Sequence, residues 1–453
     1  MTFLRTAALF LIFMSAVSIT TSQTARIYNA DQLANEVKGE FLHAWNAYKA
    51  SAWGSDGILP ISNAPYSWFG GSLLVTPVDA FSTMKVMGLE KEARETQELI
   101  FSKLTFDQDV EVKQFEIVIR VLGGLLSAYQ STGEKKFLQL ADDLGTRLLP
   151  VFNSPTGLPF VYINLKTGAV RGDTTNPAEA GTLLIEFGTL SKLTGKTIYY
   201  EKAKKALVEL FRRRSDLGLV GQTINVRNGN WVTTRSHLGG YIDSYYEYLY
   251  KCWKLFGDEE CGMMWKKSIL ALNTHLPDTV NGRVWYARVE MQSGKKVAQR
   301  WGGLEAFFPG LLAYSGDLGR AKSLQESNYF MWNRYGIEPE SYNYAADTIT
   351  YNGYPLRPEI MESAYYLYSF TGDTAYQHQG RVIFESLKKY CRTKYGYAEL
   401  ENVITKEQRD MMESFFLAET MKYLYLLFAP PGTVDLDITV FNTEAHPLRK
   451  TRK

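Results

Sequence analysis

Apolar residues recur at three- and four-residue spacing along most of the chain, the pattern of helices that bury one stripe. The runs predict helices over 31–51, 76–88, 90–104, 112–131, 135–150, 177–193, 197–212, 239–256, 258–276, 303–315, 318–335, 358–371, 374–391 and 408–428. Six glycine turns join neighbours in this series, at Gly88, Gly133, Gly195, Gly257, Gly316 and Gly372. A glycine just past one helix, followed by an acid opening the next, is a stop and start signal. From Gly133 to Gly372 the turns come 56–62 residues apart, so the repeat is one of architecture rather than of sequence. They define six helix pairs. The first and last helices close a ring as the seventh, and the fold class expected is all-α, an (α/α)7 barrel with its loops gathered at one rim.

The longer connections carry strand-like pieces. Leu219 to Arg235 reads as a hairpin around Asn228-Gly229. Near the C-terminus, Val434 to Val440 alternates like a strand and runs into Phe441-Asn442-Thr443-Glu444-Ala445-His446-Pro447. That polar run has two readings: a surface turn, or a plug that sets hard oxygen ligands at the centre of the barrel. No linker or break in composition interrupts 31–448, which is read as one domain.

Composition narrows the classes. The 453 residues carry a net charge of +2, so no nucleic-acid or membrane field is implied. Aromatics reach 14%, which suits sugars and large cores alike. Arg5 and the apolar run Ala7–Val17 read as a secretory signal over 1–22, with an uncleaved anchor as the alternative; no stable membrane span is expected. Residues 449–453 form a basic tail. Of three cysteines, Cys252 and Cys261 are near enough in sequence to pair or to stay free, and no Asn-Xaa-Ser/Thr acceptor is present.

Acids cluster at the starts of one helix in each pair: Asp79, Glu116, Glu179, Asp243, Glu305, Glu359 with Glu362, and Glu413 with Glu419. Acids favour helix N-termini through the helix dipole alone, so each is open to a purely structural reading. The set invites another, that inner helices starting at one rim aim their acids into one pit. Glu116 lies among apolar neighbours with Arg120 one turn later, which reads as a general acid withdrawn from water or as a buried Glu–Arg pair. Paired carboxylates without a nucleophilic Ser or Cys motif point to glycosidic chemistry. The five histidines show no zinc spacing, and acids with Thr443 suit Ca2+ better than a transition metal.

These segments resemble glycoside hydrolase family 47, the class I α-1,2-mannosidases. The likeness rests on Phe115-Glu116 with Arg120–Tyr129, on Ser154–Gly157, on Asp243–Leu249, on Leu356–Glu359 with Glu362-Ser363, on Met412–Thr420 and on Phe441–Pro447, in the family's order over 31–448. The resemblance implies an (α/α)7 barrel with a C-terminal hairpin as its plug and calcium at its base. It implies inverting hydrolysis of terminal α-1,2-linked mannose on a high-mannose oligosaccharide or glycoprotein. Carried over, Glu116 is the general acid, Glu359 the base, and Asp243 the other essential carboxylate or an alternative base. Thr443 holds calcium. Arg120, Glu179, Glu340, Arg357, Glu362, Phe415, Glu419 and Glu444 bind the sugar or order the waters on calcium.

Two departures place the chain nearer the degradation-enhancing branch than the endoplasmic-reticulum processing enzymes. Tyr241 stands where processing members carry Arg, and Trp301–Gly310 lacks their His and Cys. The implied location is the secretory pathway, lumenal in the endoplasmic reticulum or secreted. Two other functions fit the same pattern less well: a glycan-binding protein of the same fold that recruits glycoproteins, and a sugar epimerase on a related helical barrel.

Overall fold

A computed structural model describes residues 29–450; the expected leader over 1–22 and the last three residues of the basic tail lie outside them. Among the described residues there are fourteen helices of seven residues or more. Seven form an inner ring: α2 (Val75–Met87), α4 (Gly123–Thr132), α6 (Leu184–Thr194), α8 (Asp243–Phe256), α10 (Phe308–Tyr314), α12 (Glu359–Thr371) and α14 (Met421–Phe428). Seven lie outside them: α1 (Ala30–Ser51), α3 (Glu90–Lys103), α5 (Lys135–Leu148), α7 (Thr197–Arg212), α9 (Glu259–His275), α11 (Leu318–Tyr335) and α13 (Ala375–Tyr390). Each inner helix packs on the outer one that follows it, and α14 packs on α1, which closes the seventh pair and the (α/α)7 barrel.

Burial follows from position. Outer α3 buries only Ala93, Thr96, Leu99 and Ile100, one stripe. Inner α2 is buried on nearly every side because it touches ring neighbours, an outer helix and the axis at once. The predicted glycine turns all adopt positive φ, from +66° at Gly257 to +95° at Gly316, a region costly to residues with a Cβ. Across the α8–α10 seam, Tyr250 donates to the Tyr314 carbonyl at 2.7 Å. At the α8–α9 turn Cys252 and Cys261 pair as a disulfide, Cα to Cα 6.1 Å, while Cys391 is free and buried.

The connections entering inner helices carry short strands, and these stitch one rim together. Glu111–Lys113 pairs with Tyr162–Asn164 of the next connection, Thr174–Thr175 with Thr223–Asn225, Arg235–Ser236 with Arg288–Glu290, and Arg300–Trp301 with Ser341–Asn343. The hairpin around Asn228-Gly229 is present, with Gly229 at φ +74°.

Several predicted helices are shorter or broken. The run expected over 112–131 begins as a strand and passes through a π-helical turn, Ile117–Leu122, before α4. The run over 177–193 breaks after Pro177–Gly181, and 303–315 opens as a 3-10 turn. The run expected from 408 instead starts with strand Glu407–Arg409, and a second π-turn, Phe416–Thr420, leads into α14. The C-terminal strand is also shorter than the alternation suggested: Thr439–Phe441 pairs with Pro447–Arg449 as a hairpin. No helix among the described residues is long and apolar enough to cross a membrane.

Candidate active site

The hairpin tip is built around one buried side chain. Asn442 donates through Nδ2 to the Ile119 carbonyl (2.8 Å) and to Glu186 Oε1 (2.7 Å). Its Oδ1 accepts from the N–H groups of Glu444 (3.0 Å) and His446 (2.7 Å). Two bonds tie the tip to α6 and to the π-turn before α4, two close the tip on itself, and no buried amide atom is left over. Gly123 makes the approach possible, since a Cβ there would lie 2.7 Å from Asn442 Nδ2. Beneath the tip, buried His446 sits between Asp79 (3.2 Å) and Ser82 (3.1 Å), and Lys422 donates to Ser82 Oγ (2.9 Å) and the Ala445 carbonyl (2.5 Å).

The tip, Thr443 and Glu444, floors a cavity of ≈ 360 Å³ whose walls are the starts of the inner helices. Glu116, Asp243 and Glu359 all line it, with Arg120, Glu179, Arg357, Glu362, Phe415, Glu419 and Glu444. Glu340 does not reach the wall; it grips Arg357 from behind at 3.0 and 2.5 Å. Of the other acids that open inner helices, Asp79, Glu305 and Glu413 stand off the lining. Asp79 lies below, bonded to Ser414 and His446, and Glu305 pairs with Arg288 at 3.0 Å.

Glu116 is less withdrawn than its apolar neighbours suggested. Its side chain keeps 24% of its exposure and pairs with Arg120 at 3.0 Å. Arg120 also bonds Glu444, and its guanidinium lies 5.3 Å from the Trp68 ring and 5.6 Å from Phe415. Arg357 covers Phe415 at 5.8 Å and stands 3.9 Å from Glu359. Both guanidinium groups thus lie within cation–π range of the Phe415 ring and hold it in place.

Five carboxyls of the lining are pushed toward holding protons. Burial raises Glu359 to about 8, helped by the charges of Glu340 and Glu362 and opposed by Arg357. Burial takes Asp243 to about 7, with the Ser244 N–H on its Oδ1 at 2.9 Å pulling the other way. Glu362 rises to about 8 through burial, against Lys251. Glu419 and Glu444 are driven well above the carboxylate range, again first by burial. Too many carboxyls share too little positive charge.

That excess bears on metal binding. The Thr443 side chain reaches the cavity beside Glu247, Glu359, Glu362, Glu419 and Glu444, and neither its hydroxyl nor its carbonyl takes a protein hydrogen bond among the described residues. Hard oxygen donors around uncompensated negative charge fit a hard divalent cation such as calcium. These carboxylates do not close on one point. Among the described residues the group of ligand atoms within 4.8 Å of one another is Cys252, Asp258 and Cys261, and its sulfurs are joined to each other. A cation here fits with Thr443 as its protein ligand and the acids acting through water.

The profile of glycosyl hydrolase family 47 matches residues 40–450. The chain belongs to that family. It is 37% identical over 445 residues to the mannosyl-oligosaccharide 1,2-α-mannosidase of Arabidopsis thaliana, covering 92% of this chain and 79% of that protein. It is 36% identical over 448 residues to ER degradation-enhancing α-mannosidase-like protein 2 of Homo sapiens, covering 91% and 76%. Overall identity therefore does not choose between the two named groups. Among solved structures it is similar to the α-1,2-mannosidase from Trichoderma reesei, with TM-score 0.85, 27% identity, and 93% and 99% of the two chains covered.

Several residues of this family 47 site were not singled out from sequence. Trp68 lies in the α1–α2 connection, where nothing in the pattern marks it. The loop is knotted by buried Asp56, which accepts from Trp68 N (3.0 Å), Ser72 Oγ (3.1 Å), Leu73 N (2.8 Å) and Val75 N (3.1 Å). Lys113 reaches the cavity and holds Glu179 Oε1 at 2.6 Å. Glu247, one turn after Asp243, pairs with buried Lys251 and was legible only as part of the Asp243–Leu249 segment.

Proposed function

We propose that the protein is a calcium-dependent exo-α-1,2-mannosidase that trims terminal mannose from high-mannose N-glycans with inversion. The observation that carries this reading is one blind cavity lined by Glu116, Asp243 and Glu359 and floored by Thr443. A closed floor admits the end of a sugar chain and not its middle, which makes the reaction exo.

Glu116, as the protonated acid, donates its proton to the departing glycosidic oxygen, and Arg120 fixes the carboxyl and stabilises the carboxylate left behind. Glu359 takes the proton from the attacking water, Asp243 being the alternative; an inverting pair needs about 6.5–9.5 Å between carboxyls to admit that water. Phe415 offers its face to the apolar side of the ring, while Arg120, Arg357 and Glu179 present donors and acceptors to hydroxyls. Calcium, when bound at Thr443, supplies a hard Lewis acid for sugar hydroxyls and neutralises the surrounding acids. Tyr241, 55% exposed in the cavity wall, and the Trp301–Gly310 segment support a trimming preference unlike that of processing enzymes. The family supports a secretory-pathway location.

Product profiling on a nine-mannose glycan, with and without calcium, tests the proposal. Free mannose released as the β-anomer only when calcium is present is the expected result. Tight glycan binding with no free mannose would identify a lectin instead.

A further inference from the structure

Glu338 has no task in the reaction above. It is fully buried in the segment Gly336-Ile337-Glu338-Pro339-Glu340, and neither carboxyl oxygen has a hydrogen-bond partner. Its surroundings are charged. A Cβ on Gly303 would lie 3.2 Å from Arg357 Cγ and 3.6 Å from both Glu338 Oε1 and Glu340 Oε2. Both carboxyls and the arginine stem therefore converge on one bare glycine. Arg357 is already committed, with Nε and Nη2 on Glu340 at 3.0 and 2.5 Å and Nη1 3.9 Å from Glu359. None of its N–H groups turns to Glu338. Glu359 Oε2 is likewise without a partner.

One cation thus faces three carboxyls and bonds only one of them closely. An ionised carboxylate sealed from water without a donor costs several kcal/mol, so a group in this position keeps its proton. Burial is the main cause; the charges of Glu359 and Glu340 add to it, and Arg357 opposes it.

We propose that Glu338 is a positioning residue for Arg357, a neutral carboxyl behind the guanidinium that leaves Glu340 and Glu359 to aim it into the cavity. The proposal rests on the mannosidase reading, in which Arg357 binds sugar. The charged and titratable groups facing Glu338 are Glu340 on its own segment, Arg357 and Glu359 at the start of α12, and Tyr354, whose hydroxyl donates to the Arg357 carbonyl at 3.1 Å. The Cys391 thiol acts on Tyr354 from behind. Glu340 and Glu359 both oppose ionisation of Glu338. When alkaline pH finally removes the proton, a third carboxylate competes for one guanidinium and draws Arg357 back from the sugar.

The test is the pH dependence of KM against that of kcat in the calcium-loaded enzyme, for the wild type, Glu338→Gln and Glu338→Met. For the wild type, KM should climb about tenfold on the alkaline limb, the worth of one charge-assisted hydrogen bond. Either neutral variant that folds should hold KM within about twofold over the same range. An equal alkaline rise in wild type and variants overturns the proposal. A second readout needs no turnover: the infrared difference between wild type and Glu338→Gln should contain the C=O stretch of one protonated carboxyl. If the wild type releases no mannose, the mannosidase reading fails, and the infrared band still decides whether Glu338 is neutral; its absence at neutral pH overturns the inference.

Discussion

Asp79 beneath the hairpin and Glu419 beside the cavity are both buried, and their carboxyls are driven in opposite directions. Burial would raise Asp79, but the bond to His446 and the charge of Arg120 outweigh it and hold the group below its usual range. Glu419 meets the same burial with other acids, Glu359 and Glu362, as its principal charged neighbours, and rises well above the range. Burial sets the cost of a charge, and partners decide whether it is met. Glu186 on α6 shows the rule where the helix meets the plug: it accepts from Tyr248 and Asn442 through Oε1, but Oε2 has no partner, and burial raises it to about 7. A fully partnered acid is a strut. An acid short of donors is poised for a ligand that brings positive charge or hydroxyls.

The contrast breaks most visibly at Glu116. Glu116→Gln should cut mannose release by about 10²–10⁴-fold, the usual worth of a general acid, with the thermal midpoint little changed. Assay of released mannose and a melting curve on one preparation check both halves. Full activity in this variant would remove Glu116 from the reaction.

On the plug side the loss should be in stability. Asn442→Ala takes one donor from the Ile119 carbonyl and one from Glu186 Oε1, which keeps Tyr248, and leaves the N–H groups of Glu444 and His446 without their acceptor. At about 1–3 kcal/mol for each buried group left unmade, partly relieved by relaxation, the variant should lose about 3–5 kcal/mol. Denaturant unfolding measures it. Thr443→Ala lies at the boundary between the two regions: calcium affinity should fall about 10–100-fold while the hairpin stays folded. Titration calorimetry with calcium reads this directly, and unchanged affinity would leave the proposed metal site without its centre.

The most diffuse effect is the shape of stability against pH. Asp79, held low, contributes stability above its ordinary value of 3.8 that is lost as pH falls through its folded value. Glu359 and Glu362 move from 4.5 to about 8, so their contribution is complete below 4.5 and drains away as pH climbs toward 8. Calcium-free protein should therefore melt at progressively lower temperature from weakly acidic to weakly alkaline pH. Glu362→Gln should flatten that limb and leave the acid limb alone.

The ring of pairs was legible because its signals are local: a glycine at positive φ follows six of the seven inner helices, and sequence shows glycines. The breaks were not. Every residue of the π-turns at Ile117–Leu122 and Phe416–Thr420 is buried, so no exposed position marks the extra residue that each adds to the turn. Strand Glu407–Arg409 exists through its partner Glu399–Asn402, and a three-residue strand carries too little alternation to announce itself. The cavity was readable where a residue lies in a family segment, as Glu116, Asp243 and Arg357 do. Trp68 and Lys113 act across space on Arg120 and Glu179, and Glu338 is defined by lacking a partner, which no spacing encodes.

The plug is the last described part of the chain to be made. Its tip rests on Ile119 and Glu186, and α14 must dock on α1. Until residues 439–449 have left the ribosome, the nascent polypeptide holds a ring of acids with no floor. Contacts spanning more than three hundred positions close slowly and leave apolar surface open to aggregation meanwhile. A chain stopped short of Thr439 should therefore yield no partly active fragment, but a client for quality control.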